Sequence, residues 1–337
     1  MKTLRTIHVG VGNRGRWPLQ AMQGDARFAP AALVDTNSAF LEDAARKAAL
    51  PSSACFGSLA DAVRAVPDAG AVMICTPTAT HAAYMREAYA AGMHVLVEKG
   101  MTSSWSEAQA LAREADAAGV RMCVAQNYRY GAGERAVSRL IADAALEFSP
   151  GAPEIVDYIH HRYRPIPGSL DYPFAMVWDM SCHHVDSLSC WLGRVKRLRA
   201  HAFTTRWSAY AHPANISAFL EYENGAVCNY ALTHDGTLSQ WSVLLQGAQG
   251  ALRLYATPDL EFFAKPAAHL GSTPPLAVPA GESGDPQKAL LDDFYEYVAT
   301  GREPGISGRN NLETLAVCEM LVRSASEKRA VERAELD

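Results

Sequence analysis

The sequence predicts an α/β doubly wound parallel sheet over residues 1–127, followed by an α+β domain with a mostly antiparallel open sheet over 128–337. Three observations carry this. Short apolar runs alternate with helix-like stretches through the first 126 residues. A glycine-rich turn, Gly10-x-Gly12-x-x-Gly15, follows the first of those runs. After about Pro150 the alternation gives way to strands in succession.

Thr6 to Gly12 is a strand running into the glycine turn, with a helix starting near Arg14. Pro18 fits only the first turn of that helix. In this arrangement Gly10 makes the tight turn, Gly12 lets a pyrophosphate approach the backbone, and Gly15 lets helix pack on strand. The helix N-terminus then faces phosphate charge. Pro30 to Val34 is the second strand, and Asp35 ends it about twenty residues beyond the fingerprint, where a ribose-binding acid belongs. Helices follow at Asn37–Ala49 and Ser58–Val66. Ala71 to Thr76 is a buried strand stopped by Pro77, and the next helix closes at Gly92. His94 to Val97 is again a buried strand, ending in Glu98-Lys99. Ser104 to Ala118 is a helix, and Arg121 to Gln126 is the sixth strand. Ligands of such sheets sit beyond the carboxyl ends of the strands. Thr76-Pro77, Glu98-Lys99 and Asn127 all emerge there. A lysine ending a buried strand is costly unless it faces a polar site, which makes Lys99 the first candidate for chemistry.

In the second half, Glu154 to Tyr163 is strand-like, and Pro165, Pro167 and Pro173 mark a loop. Phe174 to Leu192 reads as a helix closed by Gly193. Strands run from Val195 to Phe263, with Asn224-Gly225 as a hairpin turn between two of them. His269 to Gly284, rich in Pro, Gly and Ser, reads as a loop. Helices at Gln287–Thr300 and Asn311 to about Lys328 finish the chain.

The 337 residues carry a formal net charge of -5, which argues against nucleic acid or an anionic membrane as the main partner. No apolar run approaches the roughly 20 residues of a membrane span, and no signal-peptide succession opens the chain. Seven scattered cysteines without a CxxC pair read as reduced thiols of a cytoplasmic protein.

On the helix 174–192, a spacing of about 100° per residue puts Asp179, His183 and Asp186 on one narrow face. Val177, Met180, Val185, Leu188, Trp191 and Leu192 take the other. The expected helix is amphipathic, with an acid–imidazole–acid stripe suited to proton transfer. His184 points to the apolar side as a packing histidine with its hydrogen bonds satisfied. His160-His161 and His183-His184 raise a metal reading, but adjacent histidines diverge on strand and helix alike and no HExxH or CxxC spacing is present. No metal is expected. Aromatics in the second half, among them Tyr128, Tyr163 and Trp178, suit a sugar pocket or a packed core. Arg162 and Arg164 suit an anionic substrate, or partners in Asp157 or Asp171.

Together these pieces resemble the glucose–fructose oxidoreductase / inositol dehydrogenase family of NAD(P)-dependent enzymes. The resemblance rests on Gly10-x-Gly12-x-x-Gly15, Cys75-Thr76-Pro77-x-x-x-His81, Gly92-x-His94-Val95-x-Val97-Glu98-Lys99 and Asp179-x-x-x-His183-x-x-Asp186. The stretch from Glu313 to Arg329 is similar to the family's closing helix. The resemblance implies a Rossmann domain, then an α+β domain whose open sheet forms oligomer contacts. It also implies that Lys99 holds and polarises the reacting oxygen, that His183 is the general base in oxidation, and that Asp179 orients the substrate hydroxyl. A neutral histidine suits that role near pH 7. Cofactor contacts are expected from Gly10, Gly12, Asn13, Arg14, Gly15, Asp35, Thr76, Pro77, His81, Glu98, Lys99 and Asn127. Substrate contacts are expected from Lys99, Tyr128, Arg129, Tyr163, Trp178, Asp179 and His183. Two departures stand beside the catalytic positions: Gly100 replaces the proline of the family's Glu-Lys-Pro, and Ser181 stands where a glycine is usual.

Three functions compete on this reading. The favoured one is an NAD-dependent dehydrogenase of a secondary hydroxyl on a sugar, sugar derivative or cyclitol, with NADP less favoured because Asp35 would repel a 2′-phosphate. The second is a glycoside-cleaving enzyme that oxidises transiently, eliminates and re-reduces. The third is a non-enzymatic cofactor-binding sensor. A homodimer or homotetramer is expected, because apolar side chains around Phe219 and Trp241 serve both faces of the second sheet.

Overall fold

A computed structural model of the chain describes residues 3–12, 14–166, 168, 172–255, 260–266, 273–281 and 284–336. Asn13, Pro167 and Asp171, with 269–272 and 282–283 of the expected loop, lie outside the described residues. The chain divides into two compact units, Met1–Asn127 with Asp285–Leu312, and Tyr128–Gly284 with Glu313–Asp337.

In the first unit, strands β1 (Leu4–Val9), β2 (Phe28–Val34), β3 (Cys55–Phe56), β4 (Ala71–Ile74), β5 (His94–Val97) and β6 (Met122–Val124) form one sheet. Its order is β3-β2-β1-β4-β5-β6, and every pairing is parallel. This is the doubly wound topology, with the chain reversing direction across the sheet between β1 and β4. Every residue of β4 is buried, as a sheet covered on both faces requires. The connecting helices are α1 (Trp17–Ala21), α2 (Ser38–Lys47), α3 (Leu59–Ala65), α4 (Thr78–Ala90) and α5 (Trp105–Ala117). Asn37, Ser58 and Ser104 cap α2, α3 and α5 through side-chain oxygens.

The second unit is built on nine strands: β7 (Pro153–Tyr163), β8 (Val195–Phe203), β9 (Asn215–Tyr222), β10 (Val227–Thr233), β11 (Asp235–Gly247), β12 (Gly250–Tyr255), β13 (Leu260–Ala264), β14 (Leu276–Val278) and β15 (Ala330–Glu332). They run in the order β14-β13-β12-β11-β7-β10-β9-β8-β15, and only β7 with β10 is parallel. The Asn224-Gly225 turn joins β9 to β10, with Gly225 at φ 91°. Helices α6 (Ala132–Ala142) and α7 (Cys182–Leu192) belong to this unit, and α8 (Pro286–Thr300) and α9 (Gly308–Glu327) follow. The inner sheet face is apolar and buried through Val156, Tyr158, Leu232, Val243 and Leu245. The outer face keeps Ile155 48%, Phe219 42% and Phe203 40% exposed.

Asp285–Leu312, placed by the sequence in a second domain over 128–337, group with the first unit in the compact division of the chain. Helix α8 packs on α1, Arg27 pairs with both Asp25 and Asp292, and the Val124 N–H donates to the Ile306 carbonyl at 2.9 Å. The expected loop 269–284 contains an edge strand, β14, and β15 extends the other edge beyond the last helix. The helix expected over 174–192 is a π turn, Val177–Ser181, leading into α7. It is not amphipathic. From Cys182 to Leu188 every residue is buried, and His184 and Asp186 find their hydrogen-bond partners inside the unit.

Candidate active site

In the first unit the carboxyl ends of the strands surround a groove of about 320 Å³ lined by Gly10, Gly12, Arg14, Gly15, Asp35, Thr76 and Pro77, among others. Its shape depends on missing side chains. Gly10 has φ 79°, and a Cβ there would stand 2.7 Å from the Cys75 carbonyl oxygen. A Cβ on Gly15 would overlap the Gly10 carbonyl outright. Asp35 is held at the end of β2 by two backbone donors, with Val11 N–H on one carboxylate oxygen and Asn37 N–H on the other, each at 2.9 Å. Arg16, which is also near the fingerprint, pairs with Asp43 at 2.8 Å. The backbone-lined turn opposite a fixed carboxylate fits a dinucleotide.

Past β5, Glu98 is half-buried, and the Trp17 indole N–H donates to its Oε1 at 2.6 Å. Burial raises its pKa, while Lys99 and the Trp17 bond pull the other way. Lys99 is likewise half-buried, and the Lys99–Gly100 peptide is cis. His81, expected at the cofactor, is held among backbone carbonyls. Its ring is fully buried, with Nδ1 3.0 Å from the Gly100 carbonyl and Nε2 2.8 Å from the Thr76 carbonyl. Burial lowers its pKa against the raising effect of those carbonyls. It therefore ties the turn after β4 to the turn after β5. Asn127 opens a short 3-10 turn directly after β6.

In the second unit, His183 is nearly buried, and the Tyr128 ring stacks on it at 4.2 Å and 9°. Trp178 is buried within the π turn that also carries Asp179. Asp179 lies 3.9 Å from the Arg164 guanidinium. Asp186, read from sequence as part of the same polar stripe, is instead committed to structure. It accepts both arms of Arg129 at 2.6 and 2.8 Å and the Thr314 hydroxyl at 2.8 Å. Burial opposes the charge on Arg129, and Asp186 restores it, raising the guanidinium pKa. Arg129, expected at the substrate, thus has its fork filled by Asp186. Tyr163 is 63% exposed, and strand alternation puts it on the face opposite Arg162 and Arg164.

His184 is fully buried in a chain of hydrogen bonds that spacing alone does not reveal. Tyr230 O–H donates to Ser181 Oγ at 2.7 Å, so His184 Nδ1–H donates to the Tyr230 oxygen at 2.8 Å. His184 Nε2 then accepts from His160 Nδ1–H at 2.9 Å. Both imidazoles are neutral in this arrangement. That agrees with burial pulling His160 down to about 4 and His184 well below its ordinary value. Ser181 therefore has a defined partner where the resemblance expects a glycine. The alternating pattern of β10 offered the only sequence signal for Tyr230, as an inward-facing residue.

Residues 4–126 match the profile "Oxidoreductase family, NAD-binding Rossmann fold", and residues 174–332 match "Oxidoreductase family, C-terminal alpha/beta domain". The chain is 28% identical over 276 residues to D-apiose dehydrogenase of Paraburkholderia graminis, covering 79% of this chain and 73% of that protein. It is 27% identical over 333 residues to D-xylose 1-dehydrogenase (NADP(+)) 2 of Haloferax volcanii, covering 96% and 97%. Among solved structures, an oxidoreductase from Agrobacterium radiobacter in complex with NAD+, L-tartaric acid and magnesium matches with a TM-score of 0.86 over the whole of both chains. At 20% identity that likeness bears on fold alone.

Proposed function

This chain belongs to the glucose–fructose oxidoreductase / inositol dehydrogenase family and is an NAD(P)-dependent dehydrogenase acting on CH–OH groups, and from that premise we propose that it oxidises a secondary hydroxyl of a sugar, sugar derivative or cyclitol. The observations that support the reading are a dinucleotide groove and a basic strand end in the first unit and, in the second, Asp179 and His183 on consecutive turns of one helical segment. The nicotinamide, when bound, supplies the hydride acceptor. Lys99 stabilises negative charge developing on the reacting oxygen. His183 takes the hydroxyl proton, its ring held in plane by the Tyr128 stack. Asp179 orients the hydroxyl as an acceptor. The test is NADH absorbance across sugars, cyclitols, anhydrosugars and glycosides. Steady NADH formation with a sugar or cyclitol is expected, and glycoside cleavage without it would replace this reading.

The preferred cofactor is NAD. Asp35 is fixed by its two backbone donors where it would accept from the ribose hydroxyls and repel a 2′-phosphate, and Arg16 is occupied by Asp43. Arg14 lines the groove, and its charge argues the other way. The D-xylose relative is named for NADP(+), so kinetics must decide. A higher kcat/KM with NAD than NADP is expected, and the reverse order would sink the assignment.

The assembly is a homo-oligomer, with the outer sheet face buried between copies. Phe203 on β8, Phe219 on β9 and Ile155 on β7 are large apolar side chains of the same sheet face, too exposed for a surface facing only water. Light scattering at micromolar concentration should give a multiple of the chain mass; a monomer mass would refute this. We place the protein in the cytoplasm, since all seven cysteines are free thiols.

A further inference from the structure

We infer that the substrate is a sugar acid, whose carboxylate is held by Arg162 and Arg164 at the end of the inner face of the second sheet. This rests on the dehydrogenase reading above and names the substrate class of the same site. The argument begins with strand register. On β7, His160 and Arg162 alternate onto the inner face beyond the buried Val156 and Tyr158, and Arg164, just past the strand, continues the alternation. β10 pairs with β7 in parallel, with Leu232 opposite His160, so His234 falls beside Arg162. The ladder continues through Arg164 N–H donating to the His234 carbonyl at 2.8 Å. The inner face therefore ends in two arginines and two histidines, on the side where the π turn carries Asp179 and Met180.

These groups are poorly matched by the protein itself. Arg162 reaches the Met180 sulfur at 3.9 Å, a weak acceptor for a guanidinium with five N–H donors. Arg164 has Asp179 at 3.9 Å, an ion pair longer than a hydrogen bond. His234 is 1% exposed, and neither ring nitrogen has a hydrogen-bond partner among the described residues. A buried polar group so placed is costly unless a ligand or water completes it. Burial and the two arginines hold His234 at about 4, so it stays neutral and can both donate and accept. Among the described residues, Asp235 also lies nearby, and it is already served by Asn215 at 2.7 Å and Thr205 at 3.0 Å.

The charges decide between oxyanions. Two guanidiniums facing the single carboxylate of Asp179 leave capacity for about one further negative charge. A carboxylate meets that and matches the planar guanidinium fork. A phosphate dianion would face Asp179 with an excess of negative charge. Because Asp179 is also the proposed partner of the reacting hydroxyl, the same contacts would hold a hydroxylated acid by both ends.

The test compares D-glucuronate with D-glucose, D-galacturonate with D-galactose, and both acids with glucose 6-phosphate. Wild type should favour each acid over its neutral counterpart at least tenfold in kcat/KM. Arg162→Met and Arg164→Met should bring that ratio toward one by raising the KM for the acid, and Arg164→Lys should keep part of it. Arg199→Met, on the outer face, should keep the wild-type ratio. Equal use of acids and neutral sugars, a ratio insensitive to both arginines, or preference for the phosphate would overturn the inference and leave the dehydrogenase reading intact. If no compound gives NADH, that reading falls, and calorimetry on the NAD-loaded protein still decides this one. Galacturonate binding lost in Arg162→Met and Arg164→Met supports it; absence of binding to wild type overturns it.

Discussion

Lys99→Ala and His183→Ala are each expected to lower kcat by about 10²–10⁴ while leaving the dissociation constant for NAD near the wild-type value. Lys99 would be removed as the cation that stabilises the developing alkoxide, and His183 as the proton acceptor. Neither side chain stands among the groups lining the glycine-rich groove. Fluorescence titration with NAD and single-turnover NADH formation separate the two effects. A binding defect as large as the turnover defect would move Lys99 from chemistry to cofactor retention. Asp179→Ala should raise KM more than it lowers kcat if it only orients substrate. The adjacent histidine serves as the control. His184→Ala strands the Tyr230 hydroxyl and the His160 ring in a buried region, at a cost of about 1–3 kcal/mol of stability. If His184→Ala abolished turnover in folded protein while His183→Ala did not, the assignment of the base would be wrong.

The largest effect on stability is expected at Asp186. The carboxylate is fully buried and takes two bonds from Arg129 and one from Thr314. Asp186→Ala leaves a guanidinium without its counter-charge in a low-dielectric setting, which costs about 3–5 kcal/mol. Urea unfolding should show the loss as a shift in midpoint at an unchanged slope. The double variant Asp186→Ala/Arg129→Met should recover much of it, because it removes the stranded charge and refills the space. A double variant no better than the single would mean that Thr314 and the local packing, not the charge, dominate. A loss of activity in Asp186→Ala beyond its loss of folded protein would return Asp186 to the proton-transfer machinery.

Much of the fold was legible because its signals are local. Alternation of buried strands and helices, the glycine turn and the acid ending β2 each lie within a few residues of the structure they specify. The second unit was less legible at its margins. β14 is three residues in a Pro- and Gly-rich segment, and β15 is three residues after a long helix, so neither carries enough pattern to announce a strand. The polar stripe on the helix after Phe174 misled for a different reason. Angular spacing tells which residues share a face, but not whether that face meets water or a buried arginine.

The sequence by itself determined the doubly wound sheet, the dinucleotide turn, the mostly antiparallel second sheet and the residues that had to be considered for chemistry. Tertiary structure decided what those residues touch. Trp17 meets Glu98 across 81 positions, Arg129 meets Asp186 across 57, and Tyr230 meets His184 across 46. It also returned residues 285–312 to the first unit. The physical reason is range. Periodicity and turn chemistry are properties of neighbouring residues and can be read along the chain. A buried charge or imidazole is compatible with several distant partners, and only the packed core selects which one desolvates with it.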